Sequence, residues 1–166
     1  MKKYYLKQKV FSIRDRYKVF DEEQILAYYC EAKFFSFSHQ MDFFKAKDNA
    51  HIFTIKRQLF SFLPKYRLLG ADGRETAVIQ KKFALMKHSF DINTEMGSLK
   101  MEGNMWGYDF QVKSDAGLLL EVHKKWLSWG DTYEITIHDE SKTDLLIALV
   151  LMIDDCLHDN QNSSHR

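Results

Sequence analysis

The chain has 166 residues, 45% of them hydrophobic and 14% aromatic, enough apolar area for one packed core and too much for a disordered chain. Its 24 basic and 23 acidic residues leave a formal net charge of +1, so no global field draws it onto nucleic acid or a membrane surface. One Pro and seven Gly exclude collagen-like and low-complexity classes, and two cysteines, Cys30 and Cys156, are too few and too far apart for a disulfide framework or a zinc knuckle.

Met1-Lys2-Lys3 has the charge of a signal-peptide opening, but residues 4–8 keep Lys and Gln where an apolar run would follow. The longest apolar run, 145–153, has nine residues, against roughly 20 for a membrane-spanning helix. The expectation is a cytoplasmic protein, monomeric, without a transmembrane segment and with its thiols free in a reducing compartment.

Further along, one short pattern returns. Phe11-Ser12-Ile13 precedes Tyr17-Lys18-Val19, Phe35-Ser36-Phe37 precedes Met41-Asp42-Phe43, and Phe60-Ser61-Phe62 precedes Tyr66-Arg67-Leu68, each time at an offset of six. Ala84-Leu85-Met86 with Phe90-Asp91-Ile92, and Leu127-Ser128-Trp129 with Tyr133-Glu134-Ile135, repeat that offset. The first four anchors lie 24, 25 and 24 residues apart, and residues 106–112 fill the gap of 43 before Leu127, giving six units. Apolar and polar residues alternate with period 2 in 4–6, 17–19, 52–54, 78–80, 110–112 and 133–137, which reads as strands. Turn signals lie at 14–16, 47–49, 72–74, 95–97 and 114–117. Asp72-Gly73 is the clearest hairpin loop, because Gly tolerates positive φ. Two strands per unit predict a mainly β chain of about twelve antiparallel strands, and a meander of that length curls and closes to remove its edges.

After Asp139 the period changes. Ser141 reads as an N-cap with Asp144 as its capping-box partner. Residues 145–153 are apolar without a polar break, so a helix over 142–158 is apolar all round and must be buried on every side. An eight-stranded barrel is filled by its own side chains. Twelve strands leave an axial hole that a helix of about 10–12 Å diameter fills. The reading is one domain over 1–158 with the helix 142–158 on its axis, followed by a polar, disordered tail at 159–166.

The chain resembles the LURP-one-related family, whose structural relatives are the tubby C-terminal domain and the phospholipid scramblases. The residues that carry the likeness are Gln8-Lys9-Val10-Phe11-Ser12-Ile13-Arg14-Asp15, Leu59-Phe60-Ser61-Phe62-Leu63-Pro64-Lys65-Tyr66, Gln80-Lys81-Lys82-Phe83 and Trp106-Gly107-Tyr108-Asp109-Phe110. Lys124-Lys125-Trp126-Leu127-Ser128-Trp129-Gly130-Asp131-Thr132-Tyr133 and Leu145-Leu146-Ile147-Ala148-Leu149-Val150 complete it. The resemblance implies a twelve-stranded barrel around a C-terminal helix. Tubby domains bind phosphoinositides and scramblases handle lipids. This chain lacks the palmitoylatable Cys cluster, the Pro-rich N-terminal region and the Asp-rich calcium loop of a scramblase.

No catalytic constellation stands out. Nucleophile elbows, P-loops and dinucleotide fingerprints are absent, and the seven histidines are scattered without zinc spacing. His123 and His138 approach only if neighbouring strands carry them. Cys156 reads as an inert buried thiol, and the paired acids Glu22-Glu23 and Asp154-Asp155 as solvated charges. No cofactor, metal or nucleic-acid partner is implied. What remains is basic: Lys81-Lys82 and Lys124-Lys125 sit at equivalent places in their units, with Lys9, Lys33 and Arg57 near the same phase. Brought onto one rim they form a cationic patch for an anionic lipid headgroup or another phosphate-bearing ligand. The competing reading is that strand ends carry Lys for solubility and to block edge pairing. The expected function is a non-enzymatic binding or scaffold module. The alternatives are a protein-interaction module without a small ligand, or an enzyme whose site is assembled from rim loops.

Overall fold

In a computed structural model, which describes residues 1–8, 15–33, 39–82, 90–104, 108–125 and 132–163, every alternating segment forms a strand. In chain order they are β1 (Lys2–Gln8), β2 (Asp15–Phe20), β3 (Leu26–Ala32), β4 (Gln40–Lys45), β5 (His51–Arg57) and β6 (Lys65–Gly70). The second half supplies β7 (Glu75–Lys81), β8 (Phe90–Thr94), β9 (Gly97–Asn104), β10 (Asp109–Ser114), β11 (Gly117–Lys125) and β12 (Thr132–Ile137). Each strand pairs antiparallel with its neighbours in the chain, and β1 closes the barrel on β12, from Lys2 opposite Ile137 to Lys7 opposite Thr132. Closure leaves no edge strand to template aggregation.

The alternation decides what faces the axis. Tyr4 and Leu6, Cys30, Met41 and Phe43, Ile55, Leu68, Ile79, Ile92, Val112, Leu120 and Val122, and Ile135 point inward and are buried. Inside them stands α1 (Thr143–Ser163), entered through a short 3-10 turn, Glu140–Lys142. All residues from 145 to 153 are buried, with Leu146, Leu149 and Val150 at most 3% exposed. This is the environment an all-round apolar helix demands. At 21 residues the helix is roughly 31 Å long at 1.5 Å per residue, but no helix among the described residues is long and apolar enough to cross a membrane.

Three local expectations differ. The cap is Asp139, whose carboxylate accepts from Ser141 N at 3.1 Å and from Ser141 Oγ at 2.6 Å; the longer Asp side chain reaches both groups, so Ser141 is absorbed into the 3-10 turn. Helix α1 runs on through 159–163, where neither Gly nor Pro stands to stop it. Asp15 and Arg16 begin β2 and lie outside any turn. The Asp72-Gly73 hairpin forms as read: Gly73 has φ +81°, and Asp72 Oδ1 accepts from Arg74 N at 3.0 Å. Among the repeated anchors, Phe60-Ser61-Phe62 lies in the β5–β6 connection; those at 11–13, 35–37, 84–86 and 127–129 fall outside the described residues.

Because odd strands run one way and even strands the other, the barrel has two unlike ends. The connections that follow even strands are short turns, and α1 enters at that end. Odd strands end, and even strands begin, at the other, here called the loop end.

Substituting Ala148 by Asp is expected to abolish folding, since an unpaired charge on the axis has no partner; circular dichroism and gel filtration read this directly. Leu149→Ala is expected to lower stability by about 2–5 kcal/mol in chemical denaturation. Gly103→Ala is expected to destabilise the β9–β10 pair. A Cβ there meets Asp109 O at 2.5 Å, and φ is +120°.

Candidate functional site

The basic residues singled out by phase share one end of the barrel. Lys33 just after β3, Arg57 on β5, Lys81 at the end of β7 with Lys82 following it, and Lys124 and Lys125 on β11 all stand at the loop end, where Lys7 on β1, which the phase does not pick out, joins them. Lys9 lies outside the described residues. Strand β9 is the exception and ends on Gly103 and Asn104.

The structure does not gather Lys81, Lys82, Lys124 and Lys125 into one patch. In the order β7-β8-β9-β10-β11, four strand steps separate the pairs, roughly 19 Å along the wall at about 4.8 Å per step. That is more than a Debye length of about 8 Å at physiological salt. Each pair joins different neighbours. Lys81 and Lys82 stand beside Lys65 and Arg57, because Lys81 N bonds Pro64 O at 3.0 Å and Gln58 N bonds Lys65 O at 2.8 Å. Lys125 shares Thr132 as a cross-strand partner with Lys7, and Lys7 in turn faces Lys18 on β2.

Within each pair the two lysines also divide. Lys81 continues the inward register of Ala77 and Ile79, and Lys124 that of Leu120 and Val122. Their partners belong to the outer wall, where each meets a carboxylate: Lys82 Nζ lies 2.5 Å from Asp91 Oδ1, and Lys125 Nζ lies 3.1 Å from Glu134 Oε2. Glu134 also receives Lys3 Nζ at 3.0 Å. Burial alone would raise the pKa of Glu134, but hydrogen bonds and charge from Lys3 and Lys125 outweigh it and hold the carboxyl below its ordinary value.

A second constellation was not legible in the sequence. Asp154 and Asp155, expected to be solvated, are 1% and 3% exposed. Both follow directly on the apolar run, and the helix continues inside the wall for a further turn. Tyr17 Oη donates to Asp154 Oδ2 at 2.6 Å. Tyr108 also bonds Asp154; burial, then that carboxylate's charge and its hydrogen bond, push the phenol well above its usual range. Tyr108 stacks on Tyr133 with centroids 4.1 Å apart, and His39 Nε2 lies 3.0 Å from Asp155 Oδ2. The available signal was the tyrosines. Tyr17, Tyr66 and Tyr133 take inward positions on β2, β6 and β12 near the loop end, and a buried phenol needs an acceptor.

At the opposite end an open cavity of about 640 Å³ lies beside the start of α1, lined by Lys45, Asp72, Arg74, Glu95, Glu140 and Asp144 among others. Two ion pairs line it: Lys45 Nζ is 2.6 Å from Asp144 Oδ2, and Arg74 Nε is 2.5 Å from Asp72 Oδ2. Tyr28 Oη donates to Asp144 Oδ1 at 2.7 Å. His123 and His138 do not meet. They bind Asp109 at 2.7 Å and Glu121 at 2.8 Å respectively. Cys30 and Cys156 are buried and are not joined in a disulfide. Among the described residues no group of three His, Cys, Asp or Glu side chains converges as a metal site.

Comparison with known proteins gives three findings. The sequence model described as LURP-one-related matches residues 2–154. The chain is 27% identical over 160 residues to the uncharacterized protein YxjI of Bacillus subtilis (strain 168), covering 96% of each. The X-ray structure of a protein from Arabidopsis thaliana superimposes with a TM-score of 0.65, at 9% identity, over 93% of this chain and 91% of that one. At that identity the likeness is one of fold alone.

Two measurements test the buried contacts. Tyr17→Phe removes a charge-assisted hydrogen bond to Asp154 and is expected to cost about 1–3 kcal/mol in denaturant melts. For Glu134 the folded pKa is depressed, so its contribution is present above the unfolded value and is lost as pH falls through the folded one. The stability gap between wild type and Glu134→Gln is therefore expected to be widest near neutrality. It should close below about pH 4, near the ordinary Glu range.

Proposed function

The chain belongs to the LURP-one-related family, and on that premise we propose that it is a non-enzymatic binding module that takes an anionic, phosphate-bearing group at the loop end of the barrel. The observation that supports this is the placement of charge. Lys7, Lys33, Arg57, Lys81, Lys82, Lys124 and Lys125 stand at the ends of odd strands, whereas the turn end carries Asp21, Glu22, Glu23, Asp48, Asp72 and Glu95 among its acids. A chain of net charge +1 is thus more cationic at the loop end, where Asp15, Glu31 and Asp109 offset part of the charge, and more acidic at the turn end, where Lys2, Lys45, Lys47, Arg74 and Lys142 do. A local potential of this kind attracts phosphate where the net charge does not. Each basic residue near an anionic surface adds about 1 kcal/mol. The two lysine pairs act as separate sectors of that rim.

An enzymatic reading needs a nucleophile, a base and an orienting group within reach of one another. The cavity at the turn end offers Ser141, whose hydroxyl donates to Asp139, a carboxylate already occupied by the cap. In the acid–tyrosine cluster Asp154 and Asp155 are buried and already take hydrogen bonds from Tyr17 and His39. Binding is the reading that the geometry supports better, and buried thiols not joined in a disulfide suit the cytoplasm.

Co-sedimentation with neutral, phosphatidylserine-containing and phosphoinositide-containing vesicles at two salt concentrations tests the proposal. A soluble inositol phosphate serves as competitor to separate a lipid from a free phosphate ligand. Binding is expected to be anion-dependent and weakened by salt. Lys81→Glu/Lys82→Glu and Lys124→Glu/Lys125→Glu are each expected to reduce it several-fold. Equal, negligible binding to all vesicles and to the competitor would sink the anionic-ligand reading.

A further inference from the structure

We propose that the β5–β6 connection is a membrane anchor whose Phe60 and Phe62 enter the headgroup–acyl boundary of an anionic bilayer; this rests on the reading of the loop end as the working surface. Phe60 and Phe62 are 104% and 109% exposed, and Leu59 is 44% exposed. Phe is among the residues most often buried, and a contiguous exposed apolar group of this kind marks an interaction site. The other large exposed hydrophobics among the described residues, Met1 and Ile25, belong to the turn end.

The exposure is not fraying. The base of the connection is clamped by Gln58 N to Lys65 O at 2.8 Å and by Lys81 N to Pro64 O at 3.0 Å. At Phe60 the backbone has φ +60°, a region that bulky residues enter at steric cost, yet the ring gains no packing in return. The tip is therefore held out from the barrel with two aromatic rings in water.

Charge decides what meets it. Arg57 and Lys65 flank the connection in sequence, and Lys81 and Lys82 lie beside it through the Pro64 contact. Aromatic rings at a cationic collar match the layered chemistry of an anionic bilayer, with phosphates outside and acyl chains beneath. The tip is convex and small. A folded protein partner would need roughly 800 Å² of complementary surface on each side, whereas a bilayer deforms around a protruding ring.

The test separates insertion from electrostatics. The Phe60→Ser/Phe62→Ser variant changes only exposed rings and is expected to melt as wild type does, while its binding to phosphatidylserine vesicles falls at least five-fold. An environment-sensitive fluorophore on F62C, with Cys30 and Cys156 buried, is expected to become shielded from aqueous iodide and quenched by lipids spin-labelled in the acyl chain. Insertion is overturned if wild type and Phe60→Ser/Phe62→Ser bind equally, the label stays in water and the lysine variants lose binding; the anionic reading then stands. If binding persists on neutral vesicles, ignores the lysine variants and still needs Phe60 and Phe62, insertion stands and the anionic reading falls. No binding to any vesicle overturns insertion, and overturns the anionic reading as well only if the soluble inositol phosphate is not bound either; concentration-dependent self-association lost in Phe60→Ser/Phe62→Ser would then assign the tip to a second copy of the chain.

Discussion

A helix without a polar face can exist in water only if something covers all of it, and that requirement organises this molecule. Helix α1 has no side to turn outward from residue 145 to residue 153. A single sheet or a helical partner would cover part of its circumference. The closed wall of twelve strands covers the whole of it. The wall has the reciprocal need: twelve strands enclose more space than their own side chains fill, so barrel without helix is a hollow apolar tube. Neither element is stable alone, which predicts cooperative folding of a chain whose β1 and β12 must meet across nearly its full length.

An apolar cylinder inside an apolar tube has no intrinsic depth or rotation, because dispersion and hydrophobic burial are non-directional. The acids at the two ends of the apolar run of α1 supply what the core lacks. Asp144 is met by Tyr28 and Lys45 where the helix enters, and Asp154 and Asp155 are met by Tyr17, Tyr108 and His39 deeper in. A slide of one helical turn, 5.4 Å, would break these contacts and leave buried carboxylates without them, at a cost far above that of a shifted apolar contact. The aspartates therefore set register more than they add stability, the use for which buried charge is best suited.

What was legible in the sequence follows from which interactions are periodic. Alternation at 17–19, 52–54 or 133–137 reports which strand face is buried, and the unbroken run 145–153 reports burial on every side; both are short-range patterns with a long-range meaning. The tyrosine–aspartate contacts are not periodic. Tyr17 and Asp154 are 137 positions apart, and reading Asp154 as solvated was natural for an acid at the edge of an apolar run. The lysine pairs stand apart for a different reason. Equivalent positions in repeated units do fall at one end of a barrel, because odd strands are parallel to one another. Around that end their separation is set by strand count, and four strands apart is not adjacent. Alternation then splits each pair again, Lys82 and Lys125 to the outer carboxylates Asp91 and Glu134, Lys81 and Lys124 to the inward register.

That division bears on how a rim of this kind can work. A lysine bound to an outer-wall carboxylate has part of its charge cancelled within a few ångströms, so Lys33 on Asp42, Lys82 on Asp91 and Lys125 on Glu134 present to a distant anion mainly the remainder. Exposed ion pairs of this sort are weak and screened, and a phosphate arriving at the rim competes with each carboxylate for the same ammonium group. Glu134 is the hardest to displace, because it is buried and held by two lysines at once. Asp91, on an exposed position of β8, yields more readily. The sector around β5 to β7 thus combines the more available charge with the only described connection at this end that holds aromatic rings in water, and the sector around β11, β12 and β1 spends more of its charge on closing the barrel.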